Sequence, residues 1–203
     1  MTTFNVAPVV AAARSARRDG TMQPPAALLP FFEVLATYDG PIPLSDLHAM
    51  VGSLTFTSDD LGDAIQIDTG GYVRTLVFER AHVEVLVMAW LPGQRSPIHD
   101  HAGSACGVRI VTGAARETIF TCRDDGFVEE WDERHLAAGS VTVAFDRDIH
   151  ALGNAVPSPA SLRDILVTLH VYSPPLVPTR KYEQAMTIQP DTIGQFDTAS
   201  SMI

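Results

Sequence analysis

Between positions 72 and 172 the chain runs as short β-rich stretches, each stopped within a few residues by Gly, Pro or Asp. No other feature constrains the fold as much, because stretches of this length and composition are stable only when paired side by side. Strands are expected over 72–78, 83–90, 106–111, 115–120, 127–131, 140–144 and 165–172, with Asp124, Asp125 and Gly126 as a hairpin turn. Many short strands at regular spacing imply a sandwich or a barrel. Ser173-Pro174-Pro175 ends the last one, since two prolines cannot continue a ladder.

Ahead of the strands the texture suits helices. An Ala-rich segment from Val6 is followed by a second over 25–38, carrying Leu28, Leu29, Phe32, Val34 and Leu35, and a third over 45–51 that Ser45 and Asp46 can cap. Pro24-Pro25 and Gly40-Pro41 punctuate them. At 203 residues one domain with a proper core is expected across 1–203, made of a helical preface (1–55), a β region (70–176) and a loosely held polar tail (183–203).

Composition narrows the partners. A net charge of −10 without any basic run argues against nucleic acid or an anionic membrane, and a monomer is expected. The apolar run 6–13 is broken by Arg14, Arg17 and Arg18 and has no positive region before it, so it reads as an amphipathic helix rather than a secretory signal. No stretch reaches the roughly eighteen apolar residues of a membrane span. Two cysteines, Cys106 and Cys122, are too few for a disulfide framework, which points to the cytoplasm.

The chemistry centres on 93–113. On a strand successive side chains alternate faces, so His99 and His101 point to one side and Asp100 to the other, and two neighbouring imidazoles make half of a metal site. Read alone they are two polar residues on an exposed strand, and His150 is a turn histidine. His170 reads alone as a buried histidine satisfied by backbone, Arg74 as a surface residue and Cys106 as a small core residue. His135 sits in a charged stretch, and Cys122, His48 and His82 read as structural or exposed.

Two motifs lift these residues above that reading. Gly93, five residues, His99-x-His101, four residues, Cys106, six residues and Gly113 resemble the first cupin motif, and 139–154, from Gly139 through His150 to Asn154, is similar to the second. The resemblance implies a mainly β fold, a cupin (double-stranded β-helix or jelly-roll) barrel, with His99, His101 and His150 as metal ligands. Cys106 stands where a Glu is usual, Phe145 replaces a proline and Arg147 a glycine. Without the Glu, three neutral imidazoles leave the charge of an Fe(II) ion for anionic substrate groups; zinc would accept the same three with water, so ligand type alone does not choose the metal.

The neighbours are more specific. Tyr72-Val-Arg74-Thr-Leu-Val, His99-Asp-His101 with Cys106 five residues on, and Leu169-His170-Val-Tyr172-Ser-Pro-Pro look like the motifs of the cysteine dioxygenase family, in order, over roughly residues 70–176. The resemblance implies a mononuclear non-haem Fe(II) centre that takes a small thiol and O2. Arg74 would pair with the substrate carboxylate and Tyr72 would lend a hydroxyl to the same end. Thr168, where the family has Ser, would relay through His170 to Tyr172, all three facing one interior by strand alternation. In animal members a cysteine at the position of Cys106 forms a thioether to the tyrosine matched by Tyr172, whereas many bacterial members carry glycine; here Gly107 follows the cysteine.

The expected function is conversion of a small thiol carboxylate, L-cysteine above all, to its sulfinic acid. A substrate rival is 3-mercaptopropionate or mercaptosuccinate, because Arg180, eight residues past Tyr172, is a second candidate carboxylate partner. A rival of another class is a non-catalytic cupin that binds metal or a small ligand, and a third is a zinc or nickel cupin isomerase.

Overall fold

The computed structural model describes residues 14–16 (backbone), 23–158, 160–161, 163–177 and 180–184. A strand β1 (Arg14–Ala16) precedes two helices, α1 (Leu29–Leu35) and α2 (Leu44–Ser53). Eight more strands follow: β2 (Val73–Arg80), β3 (Val83–Trp90), β4 (Ala105–Thr112), β5 (Ala114–Cys122), β6 (Val128–Ala137), β7 (Val141–Phe145), β8 (Ile149–Asn154) and β9 (Leu166–Ser173). The expected mainly β fold with helices ahead of it is what forms.

The strands make a six-stranded sheet, β1-β2-β3-β9-β4-β7, and a three-stranded sheet, β6-β5-β8. The first is antiparallel apart from the β1–β2 pair. Both of its faces are covered, which is why β9 is buried at every position. One face packs Val83, Val85, Val87, Val167, Leu169 and Val171 against Phe31, Phe32 and Leu35 of α1 and Leu47 and Val51 of α2. The other carries Leu86, Met88, Trp90, Cys106, Val108 and Tyr172 and looks into the candidate site. Gly107 lets α2 lie close, since a Cβ there would meet Val51 Cγ2 at 3.2 Å.

Five expectations change. The sheets are not closed into a barrel; 91–104 runs as loop rather than strand and touches β8 of the smaller sheet only through single bridges, Arg95 to Gly153 and His99 to His150. Residues 14–16 form a strand where a helix was expected, and the rest of that segment, like 185–203 of the tail, lies outside the described residues. The second helix is shorter than expected, entered by a 3-10 turn (Ala26–Leu28) with Pro30 in its first turn. Ser45 and Asp46 do not cap α2, whose N-cap is Pro43; they sit in its first turn, where Asp46 complements the helix dipole. β6 continues to Ala137 through a charged run, which an edge strand exposed on both faces tolerates. The described start of the tail is tied down: Tyr182 N–H donates to Ile98 O at 3.0 Å and Val128 N–H to Glu183 O at 3.1 Å. Among the described residues no helix is long and apolar enough to cross a membrane.

Candidate metal centre and active site

The two loop histidines are aimed by backbone hydrogen bonds, not by strand alternation. His99 and His150 exchange N–H to O=C bonds of 3.0 Å in each direction, and His101 N–H donates to Asp146 O at 2.8 Å. These bonds bring the rings of His99, His101 and His150 to centroid separations of 5.5, 4.9 and 4.8 Å, with one ligand atom of each within 4.8 Å of the others.

The donor set fits a divalent ion. His99 Nδ1 lies 2.9 Å from Pro97 O and His150 Nδ1 2.8 Å from Glu117 Oε1, which leaves both Nε2 atoms for a ligand bond. His101 is fully buried, and among the described residues neither of its ring nitrogens finds a hydrogen bond of good geometry; the Asp148 backbone lies only close enough to bias its charge. A buried imidazole left without partners is costly unless something else satisfies it. Burial first, then the neighbouring imidazoles, pushes His99 and His101 down to about 3, so both are neutral and ready to coordinate.

Beside the cluster runs a buried chain of polar contacts along β9. Thr168 Oγ1 is 2.9 Å from His170 Nε2, and His170 Nδ1 is 3.0 Å from the Tyr172 hydroxyl. The shared face drawn from strand alternation is present as a chain of hydrogen bonds, and the chain is longer than the sequence showed: Trp90 Nε1–H donates to Thr168 Oγ1 at 3.0 Å. Burial, then the charge of Arg74, holds His170 well below its ordinary value. Burial, then Cys106, holds Tyr172 well above its own.

Cys106 and Tyr172 are direct cross-strand partners on β4 and β9, which places the buried thiol beside the phenol. Burial pushes the thiol up to about 12, so it is protonated at neutral pH. The half-buried Arg74 places Cζ 6.0 Å from the Tyr172 ring centroid. Tyr72 is buried and stacks on Trp90 at 4.1 Å. Arg180 does not join this group: it is exposed, and its backbone N–H donates to Asp100 Oδ1 at 3.2 Å. Asp100 faces away from the histidines, its other oxygen accepting the Tyr182 hydroxyl at 2.8 Å.

Glu117, which sequence reasoning missed, touches the centre directly. It is 2 % exposed, its second oxygen accepts the Thr142 hydroxyl at 3.1 Å, and it shares a face of β5 with Ala115 and Ile119. A carboxylate on the inward positions of a strand was the available signal. Burial acts to raise its carboxyl, but the hydrogen bonds from His150 and Thr142 outweigh it and hold the group below its ordinary value.

Fold and site together define a mainly β protein with a three-histidine centre suited to a divalent metal. The family described as cysteine dioxygenase type I matches residues 46–185. The chain belongs to that family, and so to the thiol dioxygenases. It is similar to cysteine dioxygenase type 1 of Danio rerio, 27 % identical over 154 residues that make up 70 % of this chain and 71 % of that one. It is also similar to the Rattus norvegicus protein of that name, 28 % identical over 123 residues, but the match spans only 59 % of either chain. Among solved structures, a Klebsiella pneumoniae protein with a double-stranded β-helix domain aligns with a TM-score of 0.47 at 22 % identity, covering 65 % of this chain and 93 % of that one.

Proposed function

We propose that the chain is an Fe(II)-dependent thiol dioxygenase that converts L-cysteine and O2 to cysteine sulfinate, adding both oxygen atoms to sulfur so that no external reductant is consumed. The observation that carries this reading is one interior holding three convergent imidazoles and, alongside them, the Thr168–His170–Tyr172 chain. We take it to act as a single-domain monomer in the cytoplasm, without nucleic-acid or membrane partners.

His99, His101 and His150 would hold the iron, which when bound supplies coordination positions for thiolate and dioxygen and the redox capacity to join them. Arg74 would clamp the substrate carboxylate through a charge-assisted pair, with Tyr72 at the same end. The Trp90 N–H occupies one lone pair of Thr168 Oγ1; with the Thr168 hydrogen directed at His170 Nε2, the ring proton stays on Nδ1 and is donated to the Tyr172 oxygen. Tyr172 is then left with its own hydrogen to give to the reacting sulfur or oxygen. The buried phenol and imidazole stay uncharged, so this chain orients protons without adding charge to the centre.

Pairing of Cys106 with Tyr172 supports a thioether in which Sγ bonds to the phenol ring, the S–H and one ring C–H are lost, and O2 accepts the two electrons and two protons. An intact mass lighter by two hydrogens, abolished in Cys106→Ser, tests it. Exposure of Arg180 favours a substrate with one carboxylate over mercaptosuccinate. The overall test is anaerobic loading with Fe(II) followed by oxygen uptake with L-cysteine, 3-mercaptopropionate and mercaptosuccinate. Uptake greatest with L-cysteine is expected. Metal binding without uptake for any thiol replaces this reading with that of a binding protein, and iron that never loads where zinc or nickel does points to an isomerase.

A further inference from the structure

We propose that Glu117 is the positioning residue of the metal centre, fixing the orientation of His150 and supplying the one negative charge that none of the three ligands carries. The inference rests on reading the three histidines as a metal site, not on the thiol chemistry.

The geometry is specific. Glu117 stands on β5 two positions from Ile119, the register partner of His150, so its side chain reaches β8 diagonally on their shared inner face. One carboxylate oxygen takes the His150 Nδ1–H at 2.8 Å and the other takes the Thr142 hydroxyl from β7 at 3.1 Å, so both oxygens are engaged and the carboxylate cannot swing away. The three ligands are therefore unequal. Among the described residues His99 gives its Nδ1–H to a neutral carbonyl, His101 has no hydrogen bond of good geometry, and only His150 is backed by an anion. A carboxylate on the far nitrogen fixes the tautomer and strengthens the near nitrogen as a donor. Cys106 takes the place of a ligand carboxylate in sequence, and Glu117 restores the charge one contact further out.

The test is titration of the metal-free protein with cobalt(II), by chelator competition and by the visible cobalt bands. Glu117→Gln keeps the size and an acceptor for His150 but removes the charge; Glu117→Ala removes both. Cobalt affinity is expected to fall about ten-fold in the first and toward a hundred-fold in the second, with the cobalt bands shifted. Thr142→Val should weaken binding less. Wild-type affinity and unshifted bands in a folded Glu117→Gln overturn the proposal, and that variant, matched in size, carries the test if Glu117→Ala does not fold. A wild type that binds no divalent metal overturns this inference and the metal reading together. Cobalt binding weakened as expected, but without thiol-dependent oxygen uptake from the iron-loaded enzyme, supports this inference and overturns the proposed reaction alone.

Discussion

Thr168→Val probes the polar chain most directly, because it exchanges a hydroxyl for a methyl of the same shape in a fully buried position. The hydroxyl bridges two buried groups, the Trp90 Nε1–H at 3.0 Å and His170 Nε2 at 2.9 Å, and valine leaves both facing a methyl. Each of the two orphaned groups costs about 1–3 kcal/mol, against which the added apolar surface returns about 1 kcal/mol, so the net loss is expected at about 1–5 kcal/mol. Urea denaturation of the metal-free protein reads it as a lowered midpoint at constant slope. Thr168→Ser keeps the hydroxyl and should restore most of the loss and the turnover rate, while Thr168→Val lowers kcat more than it raises KM. Adding Trp90→Phe removes one orphan, so the double mutant should be more stable than additivity predicts by about 1–2 kcal/mol. Wild-type stability in Thr168→Val, or strict additivity with Trp90→Phe, would refute the reasoning that the hydroxyl satisfies both neighbours.

Arg74→Ala should lower kcat/KM for L-cysteine by about 10- to 150-fold, the equivalent of a charge-assisted contact of about 1.5–3 kcal/mol, while turnover of cysteamine, which has no carboxylate, changes little; equal losses for both thiols would remove Arg74 as the clamp. Gly153→Ala would place a Cβ 2.6 Å from Gln94 O and 2.9 Å from Arg95 Cα, forcing the loop that carries His99 off β8; a loss of about 1–3 kcal/mol and weaker cobalt binding are expected, whereas Gly52→Ala, with nothing within 4 Å, should gain about 0.5–1 kcal/mol. With His99 and His101 held at about 3 against an ordinary 6.5, the unfolded chain takes up protons below pH 6.5 that the folded one refuses. Metal-free stability should therefore be full above that pH and fall on acidification toward pH 3, at a slope of up to about 1.4 kcal/mol per pH unit for each imidazole; a urea midpoint flat from pH 7 to pH 5 would contradict it.

Much of this was legible in the chain because it depends on periodicity. Thr168, His170 and Tyr172 share a face by alternation, and that face is interior because Val167, Leu169 and Val171 on the other are covered by the helices. Harder to read were contacts set by register between strands far apart in sequence. Trp90 reaches Thr168 across 78 residues and Glu117 reaches His150 across 33, and no local pattern encodes either pairing. The histidine pair converges, but not by the strand alternation expected of it: His99 and His101 lie on a loop, and what aims them is backbone bonding to His150 and Asp146, tertiary contacts. Arg180 lies apart from the cluster for the complementary reason, since its backbone is committed to Asp100 while its side chain faces solvent.

Charge balance ties the two proposals together. A divalent ion held by three neutral imidazoles is poorly compensated in a buried site, where unpaired charge is expensive. Through its contact with His150, Glu117 would offset one of the two charges of such an ion, leaving the centre one charge short of neutral. A substrate thiolate would supply that charge, and the carboxylate of the same substrate would then be left for Arg74 rather than the ion. A ligand carboxylate in the position of Cys106 would instead neutralise the centre before any thiolate arrived. On this argument Glu117→Gln, which leaves a full second charge uncompensated, should tighten the inhibitory binding of small anions such as azide to the cobalt-loaded protein even as it weakens the hold on cobalt itself, and unchanged azide affinity would show that the carboxylate acts on the orientation of His150 alone.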